Sequence, residues 1–514
     1  MRRLLVANRG EIAVRIFRTC RELGIETVAV YSDADTQAAH VRMADVAVRL
    51  GPAPATESYL RADAIVDAAR QTAADAVHPG YGFLAERASF ARAIEEAGIA
   101  FVGPSSTTIA ALGDKLAARR SAVAAGVPVV PGTMEPAAAD RPDGVAAIVE
   151  EATRIGFPLL VKAAAGGGGR GMRRVASAED LPAALAAGSA EAQSTFGDGS
   201  VYLEREIHGA RHIEVQLLGD RQGTVVAIGE RGCSLQRRHQ KLVEESPAPG
   251  LSAQERAELH AMAIRVARAS GLENAVTAEF LFDPDRRFWF LEVNTRLQVE
   301  HGVTELVADL DIVREQLFLA AGRPLSDRVR AAAKRAAAPD RHAIEVRISA
   351  EDPARDFAPA PGRIGRWEMP AGPGVRLDTA LAAGDRVAPD YDPLIAKILV
   401  VDADRPAAIA RLARALDETL VTGIQTTLPF HRSVVADAGF RAANLSIDWV
   451  DERWADMLRP GREAALEAAR WAAADLVGGT PKPVALPRAG VGGGADDSEW
   501  SRAGRFGAID RWPT

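Results

Sequence analysis

The stretch Leu4-Leu5-Val6-Ala7-Asn8-Arg9-Gly10-Glu11-Ile12-Ala13-Val14-Arg15-Ile16-Phe17 sets the fold class. Its first four residues read as a short apolar strand and Asn8 to Glu11 as a polar turn. Ile12, Ile16, Phe17, Cys20 and Leu23 then recur at helical spacing. Gly24 stands where a helix C′ glycine belongs. Val28 and Val30 alternate with Thr27 and Ala29 in a second strand. Strand, helix and strand in that order predict a parallel βαβ unit. Further strands at Ala76–His78 and Ile99–Val102 each follow a helical stretch, so residues 1–112 are expected to form a doubly wound α/β domain. No Gly-x-Gly-x-x-Gly follows the first strand, which leaves a dinucleotide site with little support.

Beyond it, residues 114–125 read as a helix broken by Gly126-Val127-Pro128, and the Pro/Ala-rich stretch Pro131 to Pro142 reads as a loop. A compact segment from 144 to 203 follows, with a strand at Pro158–Ala163. From 204 to 330 strands come first and helices after. Residues 341–455 mix strands at Ala343–Ile348 and Ile395–Val401 with a helix over 406–420. After 477, glycine and proline mark a flexible tail. The 514 residues should hold three domains at roughly 100–200 residues each. A net charge of −7 argues against a bulk nucleic-acid binder, which needs a basic surface. No apolar run of ~18 residues exists to span a membrane. The apolar run after Arg2 and Arg3 ends at Asn8, too short for a secretory signal, so a cytoplasmic protein is expected. Cys20 and Cys233 offer neither a disulfide framework nor zinc spacing, and Cys233 reads as a small buried residue.

Glu279 to Glu300 carries the most chemistry. Glu279-Phe280-Leu281-Phe282 and Phe288-Trp289-Phe290-Leu291-Glu292-Val293-Asn294 flank the turn Asp283-Pro284-Asp285-Arg286, which predicts a hairpin. Glu292 and Asn294 are two apart and share a face, with Glu279 on it too as a cross-strand or diagonal neighbour. Two carboxylates and an amide oxygen suit magnesium. Phe288 and Phe290, expected on that same face, argue that it is covered rather than solvated. Arg296 next to this site offers an anion binder and Glu300 a general base. His212, Glu214 and Gln216 alternate with Ile213, Val215 and Leu217, giving a strand with one polar face.

Only six of 62 basic residues are lysine: Lys115, Lys162, Lys241, Lys334, Lys397 and Lys482. Lys162 ends a strand just before Gly166-Gly167-Gly168-Gly169-Arg170-Gly171. Four glycines let backbone N–H groups approach an anion, so the loop reads as a phosphate cover, with a plain flexible hairpin as the alternative. It is not a Walker loop, because no Gly-Lys-Ser/Thr follows. Gln236-Arg237-Arg238-His239-Gln240-Lys241 packs four cations into six residues, a candidate phosphate and substrate clamp.

With these residues the chain resembles the biotin carboxylase component of biotin-dependent carboxylases, within the ATP-grasp superfamily. The resemblance rests on Ala7-Asn8-Arg9-Gly10-Glu11-Ile12-Ala13, His78-Pro79-Gly80-Tyr81-Gly82-Phe83-Leu84, Gly113-Asp114-Lys115, the tetraglycine loop, Cys233 through Glu245, Asn294 through His301, and Tyr391-Asp392-Pro393 through Lys397. It implies an α/β fold in three parts: an N-terminal doubly wound domain at 1–112, an ATP-grasp domain at 113–330 with a mobile lid at about 130–203, and a C-terminal α/β domain at 331–455. Residues 456–514 would be a helix and a flexible tail. Lys115, Lys162, Glu204, Ile207, His212, Gln236 and His239 match ATP contacts. Glu279, Glu292 and Asn294 match positions for Mg²⁺ (or Mn²⁺). Lys241, Arg296, Gln298, Val299 and Glu300 match the bicarbonate pocket. Arg347 matches the group facing the biotin ureido oxygen, and Tyr81 and Gly82 a biotin-side contact. Glu300 would deprotonate bicarbonate, which attacks the γ-phosphate of ATP to give carboxyphosphate. The phosphate released with CO2 would take the biotin N1′ proton while Arg347 steadies the enolate oxygen.

The chain departs from the family pattern at Gly302, where proline is usual, at Ala85-Glu86-Arg87, at Asn274-Ala275-Val276-Thr277 and at Gly209-Ala210-Arg211-His212. Val276 and Gly302 flank the metal and bicarbonate positions and are expected to affect geometry or rate. No lysine has a methionine neighbour, so biotin should arrive on a carrier protein or domain of another chain, with a carboxyltransferase subunit completing the reaction. The resemblance also implies a homodimer. The expected activity is the first half-reaction of an acyl-CoA carboxylase, with acetyl-CoA or propionyl-CoA favoured as the final acceptor and another acyl-CoA or urea left open. The alternatives are another ATP-grasp ligase joining a carboxylate to an amine, or a non-catalytic subunit of such a complex.

Overall fold

The computed structural model describes residues 1–136, 142–164 and 172–458. The glycines Gly166, Gly167, Gly168 and Gly169 and the tail from 459 lie outside the described residues.

The opening stretch folds as its pattern requires. Arg3–Val6 is a strand, Gly10–Glu22 a helix burying Ile12, Ile16, Phe17 and Cys20, and Glu26–Ser32 the parallel second strand. Gly24 takes φ +68° behind the helix, a conformation costly for any residue with a Cβ. Five parallel strands run in the order Val46–Gly51, Glu26–Ser32, Arg3–Val6, Ala76–His78, Ala100–Phe101. The first strand therefore lies centrally, and its C-terminal end delivers Asn8 and Arg9 to the rim where parallel sheets bind ligands.

An eight-stranded antiparallel sheet forms the body. Its order is Phe288–Asn294, Asn274–Phe282, Arg211–Gly219, Val225–Arg237, Gln240–Ser246, His342–Ser349, Leu394–Asp402, Val375–Thr379. The sheet runs across the expected boundary at 330/331 without a break. Gln240–Ser246 pairs with His342–Ser349, Glu244 opposite Glu345. The helix Lys115–Ala124 is capped by Asp114, whose carboxylate accepts from the Ala117 N–H, so the Gly113-Asp114-Lys115 motif is a helix start that fixes Lys115 in the first turn.

A three-stranded antiparallel sheet, Arg173–Val175, Leu159–Ala163 and Val201–Arg205, with the helix Leu181–Phe196 has its own apolar core of Leu159, Val161, Leu185 and Leu203 among others. Among the described residues no helix is long and apolar enough to cross a membrane.

One expectation is corrected. Phe288 and Phe290 do not share the face of Glu292. The register shifts in the hairpin, so that Glu279 pairs with Glu292 while Phe280 pairs with Phe290 and Phe282 with Phe288. The extra residue turns the phenylalanines into the core, where the Phe280 and Phe290 rings lie 5.7 Å apart, and leaves both glutamates on the other face.

Candidate active site

The hairpin correction assembles a row of side chains. Glu292, Glu279, Glu214 and Arg231 stand opposite one another across four adjacent strands. The polar face of Arg211–Gly219 is covered: His212, Glu214 and Gln216 are all buried. Asn294, Thr277 and Gln216 form the next row.

Lys241 lies at the centre. Its Nζ donates to Glu214 at 2.5 Å, Glu279 at 2.9 Å and Glu300 at 2.7 Å. The other Glu300 oxygen accepts from Arg347 at 2.9 Å. Burial would raise the Glu300 carboxyl, but Lys241, Arg347 and Arg231 outweigh it and hold Glu300 well below the usual carboxylate range. Glu279 is lowered in the same way, against its burial, by Lys241 and His212, whose Nε2 is 3.1 Å away. Ligand atoms of His212, Glu214 and Glu279 lie within 4.8 Å of one another, but the Lys241 ammonium already fills the space between two of these carboxylates. The oxygen donors that fit magnesium are Glu279 and Glu292, paired across the ladder, with Asn294, whose Nδ2 donates to Glu279 at 2.8 Å. Lys115 Nζ is 3.9 Å from Glu292.

Arg296 lies between Gln298, which accepts from it at 3.0 Å, and Glu86, an ion-pair partner at 3.2 Å. The Ala85-Glu86-Arg87 departure thus keeps a carboxylate for this arginine. Val299 lends its carbonyl to the fully buried Lys397 at 2.9 Å. Lys397 Nζ is 3.3 Å from Glu11, which accepts from the Tyr81 hydroxyl, so Tyr81 reaches the Glu300 segment through Glu11 and Lys397. Asn8 Nδ2 donates to the Pro79 and Tyr81 carbonyls, joining the Asn-Arg-Gly-Glu turn to the loop with Tyr81 and Gly82, the latter at φ +70°.

A second group forms at the small sheet. Glu204 is buried and engaged by Lys162 and by Arg119 at 2.6 Å. Burial would raise its carboxyl, but Lys162 and Arg119 outweigh it and keep it low. Ile207 is half-buried, Gln236 buried and His239 exposed at the turn between Val225–Arg237 and Gln240–Ser246.

The sequence reading gave no site role to Glu214, Arg231, Arg119, Glu244 or Glu345, all of them buried charged residues here. Glu214 had a signal, since it shares the alternating polar face of His212 and Gln216. Arg231 and Arg119 had none, because one arginine among so many carries no mark until burial shows it. Val276 packs in the apolar core away from the carboxylates, so it does not reshape the metal face. Cys233 is buried and free, and burial raises its thiol far above the usual range.

An antiparallel sheet carrying acidic and cationic groups, a small sheet with a lysine on a buried glutamate, and an α/β domain at the front define an ATP-grasp ligase. Residues 1–109 match the biotin carboxylase N-terminal domain, 114–328 the ATP-binding domain of the carbamoyl-phosphate synthase L chain, and 345–452 the biotin carboxylase C-terminal domain. The chain is 46% identical over 453 residues to the biotin carboxylase of Pseudomonas aeruginosa, covering 88% of this chain and 98% of that one. Among solved structures it is similar to the Campylobacter jejuni biotin carboxylase in a complex with a β,γ-ATP compound (TM-score 0.84, 43% identity, 88% of this chain and 99% of that one). It is also similar to the biotin carboxylase domain dimer of the Hydrogenobacter thermophilus 2-oxoglutarate carboxylase with MgADP, ADP and bicarbonate (TM-score 0.82, 40% identity, 88% and 97%). The chain belongs to the biotin carboxylase family, the enzyme component that carboxylates biotin in biotin-dependent carboxylases.

Proposed function

We propose that Glu300 is the base that deprotonates bicarbonate, and that this chain performs the first half-reaction of an acyl-CoA carboxylase. The observation that carries the base assignment is the pairing of both Glu300 oxygens, one with Lys241 and one with Arg347. Paired in this way Glu300 is an ionised but weak base. A bicarbonate ion arriving between Arg296, Gln298, Val299 and Lys241 competes for those cations. As Lys241 and Arg347 turn to the incoming anions, Glu300 loses its partners and its proton affinity rises toward that of the group it must deprotonate. The carbonate oxygen so formed attacks the γ-phosphate of ATP held by Lys115, Lys162, Glu204, Ile207, His212, Gln236 and His239. Glu279, Glu292 and Asn294 would hold Mg²⁺, whose chemistry there is neutralisation of phosphate charge. Arg347, released from Glu300, faces the ureido oxygen of biotin, with Tyr81 and Gly82 on the biotin side.

Biotin is delivered by a carrier on another polypeptide, a carboxyltransferase chooses the acceptor, and the enzyme works as a homodimer. The cytoplasm is the compartment. The lid at about 130–203, carrying Lys162, closes over the nucleotide and keeps water from carboxyphosphate. A second reading, as the subunit of a 2-oxo-acid carboxylase, is favoured by likeness to 2-oxoglutarate and pyruvate carboxylases.

The test is ADP release with and without bicarbonate, and with added free biotin. Strict bicarbonate dependence with stimulation by biotin supports the assignment, and bicarbonate-independent turnover with an amine acceptor overturns it. Reconstitution with a biotinylated carrier and carboxyltransferase, offered acetyl-CoA, propionyl-CoA or 2-oxoglutarate, decides the acceptor.

A further inference from the structure

Two of the stretches that carry the family resemblance hold no residue of the proposed chemistry: Ala7 to Ala13 and Tyr391 to Lys397. The structure joins them in one contact. Lys397 Nζ lies 3.3 Å from Glu11 Oε1, and that same oxygen accepts from the Tyr81 hydroxyl. Lys397 also donates to the Val299 carbonyl at 2.9 Å and lies 3.6 Å from Asp378. Lys397 is fully buried and Glu11 is buried.

An ammonium taken wholly out of water persists only where its donors are satisfied. Burial would lower Lys397, but Glu11, Glu345 and Asp378 outweigh it and keep the ammonium charged. A lysine ammonium donates in three directions from one atom, which the planar fork of an arginine does not reproduce. The strand Leu394–Asp402 fixes where that atom stands, since Lys397 pairs with Arg347 on one side and with Asp378 on the other.

The Val299 carbonyl belongs to the peptide unit that enters Glu300. That unit is planar, so holding its oxygen fixes the direction in which the chain arrives at Glu300, the N-cap of the helix His301–Ala308. Lys397 therefore acts on the bicarbonate pocket from behind, and through Glu11 it reaches the hydroxyl of Tyr81. Resting on the functional reading above, we propose that Lys397 and Glu11 are positioning residues that couple the bicarbonate pocket to the biotin side. The shared oxygen is the coupling element. While the Tyr81 hydroxyl donates firmly to Glu11 Oε1, Glu11 pulls less on the ammonium and Lys397 stays on the Val299 carbonyl. Biotin packed against Tyr81 steadies that arrangement. Bicarbonate ordering the Val299–Glu300 segment favours the same arrangement, so each ligand strengthens binding of the other.

The test measures KM for bicarbonate in ADP release by the full chain, with and without saturating free biotin. The coupling predicts that biotin lowers this KM by about 5-fold or more, the lower end of the usual range for linked sites. Tyr81→Phe, assayed without biotin, should raise it by about 5-fold, because Glu11 then draws Lys397 from Val299. A Tyr81 that only touches biotin leaves it unchanged. Glu11→Gln keeps shape and removes the charge. In that variant the effect of biotin on bicarbonate should vanish and Tyr81→Phe should add nothing further, with KM for ATP unchanged. Lys397→Met should do the same. A bicarbonate KM that ignores biotin in wild type overturns the proposal, as does one unmoved by Tyr81→Phe or a biotin effect that survives in Glu11→Gln. Wild type and Tyr81→Phe, a half-buried site, decide the matter even where Lys397→Met fails to fold. Absence of bicarbonate-dependent ADP release in wild type would instead overturn the functional reading, and the coupling with it.

Discussion

Glu300, Lys241 and Arg347 show how a buried carboxylate is held ionised, the state the proposed base requires. Glu300→Gln keeps shape and hydrogen bonding and removes the proposed base. The expected loss of bicarbonate-dependent ATP cleavage is at least ~10²-fold, the usual scale for a general base, with nucleotide affinity kept. Parallel kinetics and nucleotide titration check this, and near-normal turnover would remove the role. Lys241→Met leaves Glu214, Glu279 and Glu300 facing one another without the ammonium that joins them. Removing one partner of a buried charge cluster costs about 3–5 kcal/mol, seen as a lower thermal midpoint. Glu345 has the opposite pH signature. Burial pushes its carboxyl well above the usual carboxylate range, more than Lys397 pulls it back, so the folded state holds a proton that the unfolded chain has lost. Its contribution is present below the ordinary glutamate range and is lost as pH rises toward the folded value. Glu345→Gln should therefore gain stability over wild type by about 1.4 kcal/mol per pH unit across that window, measurable by denaturant unfolding at several pH values.

The elements that deliver these residues were readable to different depths. The first βαβ unit followed from apolar spacing and one glycine. The hairpin proposed to hold the metal followed from two apolar runs and a turn. The register shift that sets Glu279 directly opposite Glu292 did not, because a bulge is chosen by packing across the sheet, here by the Phe280 and Phe290 rings. The same limit hid Glu244 and Glu345, which are two acidic residues in two strands until pairing sets them opposite. Gly302 shows a departure compensated in three dimensions. A Cβ there would come 2.4 Å from Leu399 Cδ2 and 3.3 Å from Glu345 Oε2. Leu399 is fully buried and occupies the space a side chain would need. Gly302→Ala should cost about 1–3 kcal/mol as overpacking, and Leu399→Val should recover part of it in the double variant. Simple additivity of the two thermal shifts would show that the sites do not share space.

At the scale of the molecule, the body sheet is the device that makes the chemistry possible. One continuous sheet carries Glu292, Glu279 and Glu214 toward one edge and Arg347 and Lys397 toward the other, so groups from expected neighbouring domains meet on one rigid surface. Sequence pattern alone could separate the α/β front from the rest, but it could not show that the strands on either side of 330 join. The lysines bear on assembly: none of the six has a methionine beside it, so biotin ligase should leave this chain unlabelled and streptavidin blotting should give no band at its mass. The most direct measurement supplies isotope-labelled bicarbonate, ATP, magnesium and free biotin to the purified protein and follows label in biotin. The expected result is acid-labile carboxybiotin formed only with ATP present and lost in Glu300→Gln. ATP cleavage without labelled biotin, or label transfer undiminished in Glu300→Gln, would contradict it.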